Sequence, residues 1–117
     1  MVLVVQSNKH ISKQVFFRIH RQDGTEILAI CDEELLGKVL SNSKIKMKVP
    51  SKFYKGQAIS KSDALQLMRR YVNINIIGSV IELGIEKNRI KKDAVIWFND
   101  EEGNRVPHLL IFSIPPL

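Results

Sequence analysis

The sequence predicts a small single α+β domain, with antiparallel hairpins forming a sheet and two or three short helices beside it. Three observations lead there. Residues 13–21 and 44–49 alternate apolar and polar side chains with the period of two that a half-buried strand requires. Asp23-Gly24 stands between the first of these and a second apolar run, as a tight hairpin turn does. Two later stretches, about 61–72 and 79–88, return apolar residues at helical spacing. A length of 117 residues with 44% hydrophobic and 26% charged side chains suits one globular core.

In chain order, residues 1–12 form an N-terminal extension or arm, with strand composition in MVLVV and a loop-like SNKH behind it. The domain occupies 13–114. In its first strand Val15, Phe17 and Ile19 share one face, and Phe16, Arg18 and His20 the other. Residues 26–30 return as a mostly buried strand ending at Cys31. Asp32 then caps a short helix, with Glu33 and Glu34 in the first turn where the dipole favours negative charge, and Gly37 ends it or lets it pack closely.

Residues 44–49 place Lys44, Lys46 and Lys48 on one face and Ile45, Met47 and Val49 on the other, until Pro50 stops the strand. The segment SKFYKGQ reads as a loop. Ser60 is the N-cap of a helix over about 61–72, with Asp63 in the capping-box position and Arg69 and Arg70 at the rim of its apolar stripe. NINIIG is extended or irregular. A second helix, about 79–88, carries Ile81, Gly84 and Ile85 on one face, where Gly84 allows close approach to a neighbour. A strand over 94–98, a polar NDEEGN turn and a strand over 105–114 ending at Pro115-Pro116 complete the chain. No internal repeat or linker divides it.

The charge is local. The formal net charge is +6, yet residues 44–70 alone hold eight basic residues and one acid, while the other 90 hold ten and eleven. Such a patch is the electrostatic footprint of a polyanion site. Phe53 and Tyr54, set between Lys52 and Lys55, add rings of the kind that stack on single-stranded bases. Lysines along one face of a strand also guard a sheet edge from aggregation, and aromatic residues also fill cores, so both readings stand at this point.

Chemistry-bearing residues are sparse, and no catalytic residue is assigned. Cys31 with His108 is the one pairing worth naming, but a cysteine ending an apolar strand is usually a buried, inert thiol. His10, His20, His108 and Cys31 lack metal-ligand spacing, so neither metal nor cofactor is expected, and the glycines form no phosphate-binding loop. No stretch approaches the apolar length of a membrane span, so no membrane is expected and a cytoplasmic protein is.

Four words, CDEELLGK (31–38), FYKG (53–56), NIIG (75–78) and VPH (106–108), together resemble an archaeal domain of unknown function, family 424. The resemblance covers roughly 13–114. It implies a small archaeal cytoplasmic α+β protein without established enzyme activity, sometimes grouped with translation and RNA-handling proteins, and it marks Asp32, Glu33, Gly37, Asn75, Gly78 and His108 as motif positions of unknown role. The N-terminal extension and the acidic NDEEGN turn depart from the family pattern. The resulting expectation is a non-enzymatic RNA-binding protein associated with the ribosome, ribosomal RNA or transfer RNA, using Lys44, Lys46, Lys48, Lys52, Phe53, Tyr54, Lys55, Arg69 and Arg70. The alternatives are an adaptor for a translation factor and an enzyme using Asp32, Asn75 and His108.

Overall fold

The computed structural model describes residues 14–113; the arm expected at 1–12 and the last residue of the strand expected over 105–114 lie outside the described residues. Among the described residues eight strands form one sheet: β1 (Val15–Gln22), β2 (Thr25–Asp32), β3 (Val39–Ser41), β4 (Lys46–Lys48), β5 (Gln57–Ile59), β6 (Ile74–Ile77), β7 (Ile96–Asn99) and β8 (Arg105–Ile111). Their spatial order is β4-β3-β7-β8-β6-β2-β1-β5. Three helices, α1 (Ser51–Tyr54), α2 (Lys61–Leu67) and α3 (Ser79–Glu86), accompany them. No helix among the described residues is long and apolar enough to cross a membrane.

The β1–β2 hairpin closes at Asp23 and Gly24, whose φ of 53° and 78° give the doubly left-handed turn that matches strand twist. Ser60 caps α2 by accepting the Asp63 N–H at 3.0 Å. That helix stops at Leu67 and continues as a 3-10 turn, Met68–Arg70, shorter than the apolar stripe predicts. In α3, a Cβ on Gly84 would lie 2.4 Å from Ile90 Cδ1, so the bare backbone there seats the chain that returns after the helix.

The sheet is not built of hairpins alone. β2 and β6 run parallel, and every other pairing is antiparallel. NINIIG supplies this central strand, and Ile74, Ile76 and Ile77 are all buried because both faces of the sheet are covered there. A strand buried on both sides loses its alternation, which is why its pattern reads as irregular.

Two cores lie on opposite faces. On one, α2 and α3 pack Ala64, Leu65, Val80 and Ile81 against Leu28, Ile30, Ile76 and Leu109. On the other, Ala29, Cys31, Ile77, Phe98 and Val106 meet Leu40, Val49 and Tyr54. The edge strands β4 and β5 are separated by only eight residues, four of them in α1. Such a connector spans about 23 Å, whereas eight flat strands would set the edges about 34 Å apart. The sheet therefore curls, and α1 crosses its concave side.

Candidate functional site

Strand alternation decides which motif residues meet. Cys31 and Asp32 are neighbours on β2 and so project to opposite faces. Asn75 pairs with Ala29 across β6 and β2, which puts it on the face of Cys31. His108 pairs with Ile77 and joins the same face. Asp32 therefore stands on the far side of the sheet from Asn75 and His108, and the single pocket expected for an enzyme built on these three does not form.

What forms instead is two networks. On the α1 side, Asn75 Oδ1 accepts the Tyr54 hydroxyl at 2.8 Å and the His108 Nε2–H at 2.9 Å. Burial lowers the His108 pKa, so the ring is neutral near neutral pH. Burial, with Cys31 nearby, pushes the Tyr54 phenol up, against the pull of its Asn75 hydrogen bond. Tyr54 is 2% exposed. It is core, not the base-stacking surface ring that its place between lysines suggests.

On the helix side, the Asp32 carboxylate accepts the Ser79 N–H at 3.0 Å and the Ser79 hydroxyl at 2.7 Å. It thus caps α3; the short turn that follows it, the 3-10 helix Glu33–Leu35, receives no hydrogen bond from its side chain. Long-range capping of this kind leaves no mark in the local spacing. Burial raises the Asp32 pKa above the ordinary 3.8, although both Ser79 hydrogen bonds pull the other way. Gly78, with φ of 111°, sits under this carboxylate: a Cβ there would lie 2.7 Å from Asp32 Cγ. Its N–H donates to Pro107 O at 3.0 Å. Asp32, Gly78, Ser79, Lys38, Asp100 and Arg105 line part of a cleft of about 250 Å³ outside the carboxyl ends of β2 and β6. Gly37 donates its N–H to Val49 O at 2.9 Å, and Glu33 is exposed.

Cys31 is fully buried and its thiol donates to Asp32 O at 3.3 Å. Burial, together with Asp32 and Glu34, drives its pKa far up, so the thiolate a nucleophile needs does not form. No group of three or more His, Cys, Asp or Glu able to hold a metal exists among the described residues.

The basic residues divide. Lys46 and Lys48 are exposed on β4, an edge strand paired only with β3. Lys44 leaves the expected row: Asn42 Oδ1 accepts the N–H of Lys44 and Ile45 at 2.9 and 3.0 Å, making a turn that delays the strand to Lys46. Lys52 and Lys55 are exposed at α1. Arg69 and Arg70 follow α2 on the face of the sheet opposite α1, away from Lys52 and Lys55, and Lys46 and Lys48, which alternate with the core-packed Met47, also project away from the α1 side. Among the described residues the ion pairs are Arg21 with Glu26 and Lys38 with Glu102, so all five lysines between 44 and 55 lack an acidic partner.

Phe53 differs from Tyr54. It is half-buried and stacks on His20, with ring centroids 4.2 Å apart and planes 10° apart, while His20 Nε2–H donates to Phe53 O at 2.7 Å. Arg18 donates to Lys52 O at 2.7 Å. Neither Arg18 nor His20 is among the contact residues expected from sequence; their shared face on β1 is the signal that could have found them.

All four sequence words thus meet across the sheet: the first, third and fourth at Asp32, Gly78 and Pro107, and the second, third and fourth at Tyr54, Asn75 and His108. A family model described as "Protein of unknown function (DUF424)" matches residues 20–109. The chain belongs to this family. A solved structure, an uncharacterized conserved protein from Methanopyrus kandleri, is similar to this DUF424 chain at 26% identity and a TM-score of 0.63, covering 89% of this chain and 97% of its own. No curated protein matches the chain.

Proposed function

We propose that this DUF424 protein is a non-enzymatic binder of single-stranded RNA, associated with ribosomal or transfer RNA. The observation that carries the reading is the run of five exposed lysines over 44–55, none with an acidic partner among the described residues, in a segment that also holds the half-buried Phe53 stacked on His20. Unpaired cations on one short stretch gain from phosphate neutralisation without first breaking internal ion pairs. A ring held at the surface of α1 offers a sequence-tolerant platform for a base. The exposed pair Lys46 and Lys48 would also keep the β4 edge from pairing with another chain, and the two roles are compatible.

Native purification tests this directly. The protein should emerge from low-salt lysate with RNase-sensitive nucleic acid and lose it in high salt. Emergence free of nucleic acid but with one stoichiometric acidic protein would favour the adaptor reading instead.

A further inference from the structure

The helix side of the sheet carries a second basic feature, separate from the lysines of 44–55. Arg69 lies in the 3-10 turn after α2 and Arg89 follows α3; distant in the chain, they line one cleft of about 300 Å³ together with Leu65 and Met68. Local chemistry sets both walls. After α3, Asn88 takes a φ of 59° and donates its N–H to Ile85 O at 3.0 Å, while the Arg89 N–H donates to Gly84 O at 2.7 Å, a left-handed helix stop that fixes the backbone of Arg89. The bare Gly84 then lets the buried Ile90 dock on the helix. Leu65 is buried in the core that α2 and α3 share, and Met68 is half-buried against it, so the rest of the cleft is apolar. Both arginines are exposed, and among the described residues neither forms an ion pair. Among the same residues no acid lines this cleft; Asp63 lines the adjoining groove with Arg69 and Arg70 and makes an ion pair with neither. A cation near a helix C-terminus offsets the dipole, which explains a positive charge at each position but not why both border one apolar cleft.

The two guanidinium groups leave two positive charges unbalanced beside an apolar surface. A carboxylate or a phosphodiester would balance one of them. A phosphomonoester, with a charge of about −1.5 to −2 at neutral pH and three acceptor oxygens, matches both planar forks. Leu65 and Met68 offer nothing to a bare phosphate, whereas a thioether and the planes of arginines pack well against a flat ring. A cleft of this size stands at the small end of ligand sites, which run from about 300 to 1,000 Å³. We propose that it holds a phosphomonoester attached to a flat, largely apolar ring, the chemistry of a mononucleotide, with Arg69 and Arg89 taking the phosphate and Leu65 and Met68 the ring. The monoester comes from a free nucleotide or from the 5′ end of a strand, and the proposal stands whether or not the lysine segment binds RNA.

Calorimetric titration of the full chain with AMP tests it. AMP should bind saturably with a Kd under about 1 mM. Inorganic phosphate and adenosine, each half of the chemistry, should bind about tenfold or more weaker than AMP. Arg69→Gln and Arg89→Gln should each weaken AMP about tenfold, the worth of a charge-assisted contact. Arg70→Gln, next in the chain but outside the cleft, and Lys52→Gln, across the sheet, should change it by under about twofold. All four positions are exposed, so the variants should melt with wild type. Oligo(A) with a 5′-phosphate is then compared with the same oligomer ending in a hydroxyl. A gain of about threefold or more that Arg89→Gln abolishes supports the strand end as the source, and equal affinity of the two oligomers alongside AMP binding supports the free nucleotide. Absence of saturable AMP binding overturns the proposal. Inorganic phosphate binding as tightly as AMP overturns it too, as does Arg70→Gln proving as damaging as Arg69→Gln, the mark of a diffuse field rather than a site.

Discussion

Asp32 shows how a motif carboxylate can be structural. Only 9% exposed, it binds both the N–H and the hydroxyl of Ser79 and leaves the N-terminus of α3 no open donor at that position. Because its folded pKa lies above the unfolded value of 3.8, its contribution to stability is full below 3.8 and is lost as pH rises through the folded pKa. Asp32→Asn retains an acceptor and never ionises. Its melting temperature relative to wild type should therefore rise from acid to neutral pH, and a difference that shrinks with pH would contradict this account. Gly78→Ala should cost about 1–3 kcal/mol in chemical denaturation, from a φ that suits glycine and from a Cβ driven into that carboxylate. Tyr54→Phe leaves Asn75 Oδ1 bonded to His108, so its cost should be about 0.5–1.5 kcal/mol. None of these three roles was legible from local spacing, since each partner comes from an element distant in the chain.

At the scale of elements, legibility followed length. The eight-residue strands β1 and β2 and the capped helix α2 are readable because several periods and a turn or cap signal coincide in each. Strands β3 and β5 have three residues each and α1 has four, too few to show a period, and β6 is masked by burial on both faces. Yet α1 is what turns the expected loop into a strap carrying Lys52, Phe53 and Lys55. Replacing Lys46, Lys48 and Lys52 by Gln should reduce RNA affinity about tenfold or more and the salt slope by about 2, with little change in melting temperature. If the lysines act only as edge guards, affinity would hold and solubility would fall. Phe53→Ala removes the ring that stacks on His20; it should cost about 1–3 kcal/mol of binding without altering the salt slope.

At the scale of the whole molecule, curling is what lets α1 cross the concave side between the β4 and β5 edges, while Lys46 and Lys48, alternating with the core-packed Met47, project from the other face of β4. The α+β class was legible from periodicity, whereas the parallel β2–β6 pairing and the closure across α1 arise from long-range contacts that no window of sequence contains. The same closure splits the basic residues, setting Lys52 and Lys55 on the α1 side and leaving Arg69 and Arg70 on the helix side. The most direct test of the RNA-binding account is the salt dependence of binding of the intact protein to single-stranded RNA. With the five unpaired lysines each neutralising one phosphate, the account predicts a log-log slope of about −3.5; a slope near zero, or no binding at low salt, would contradict it.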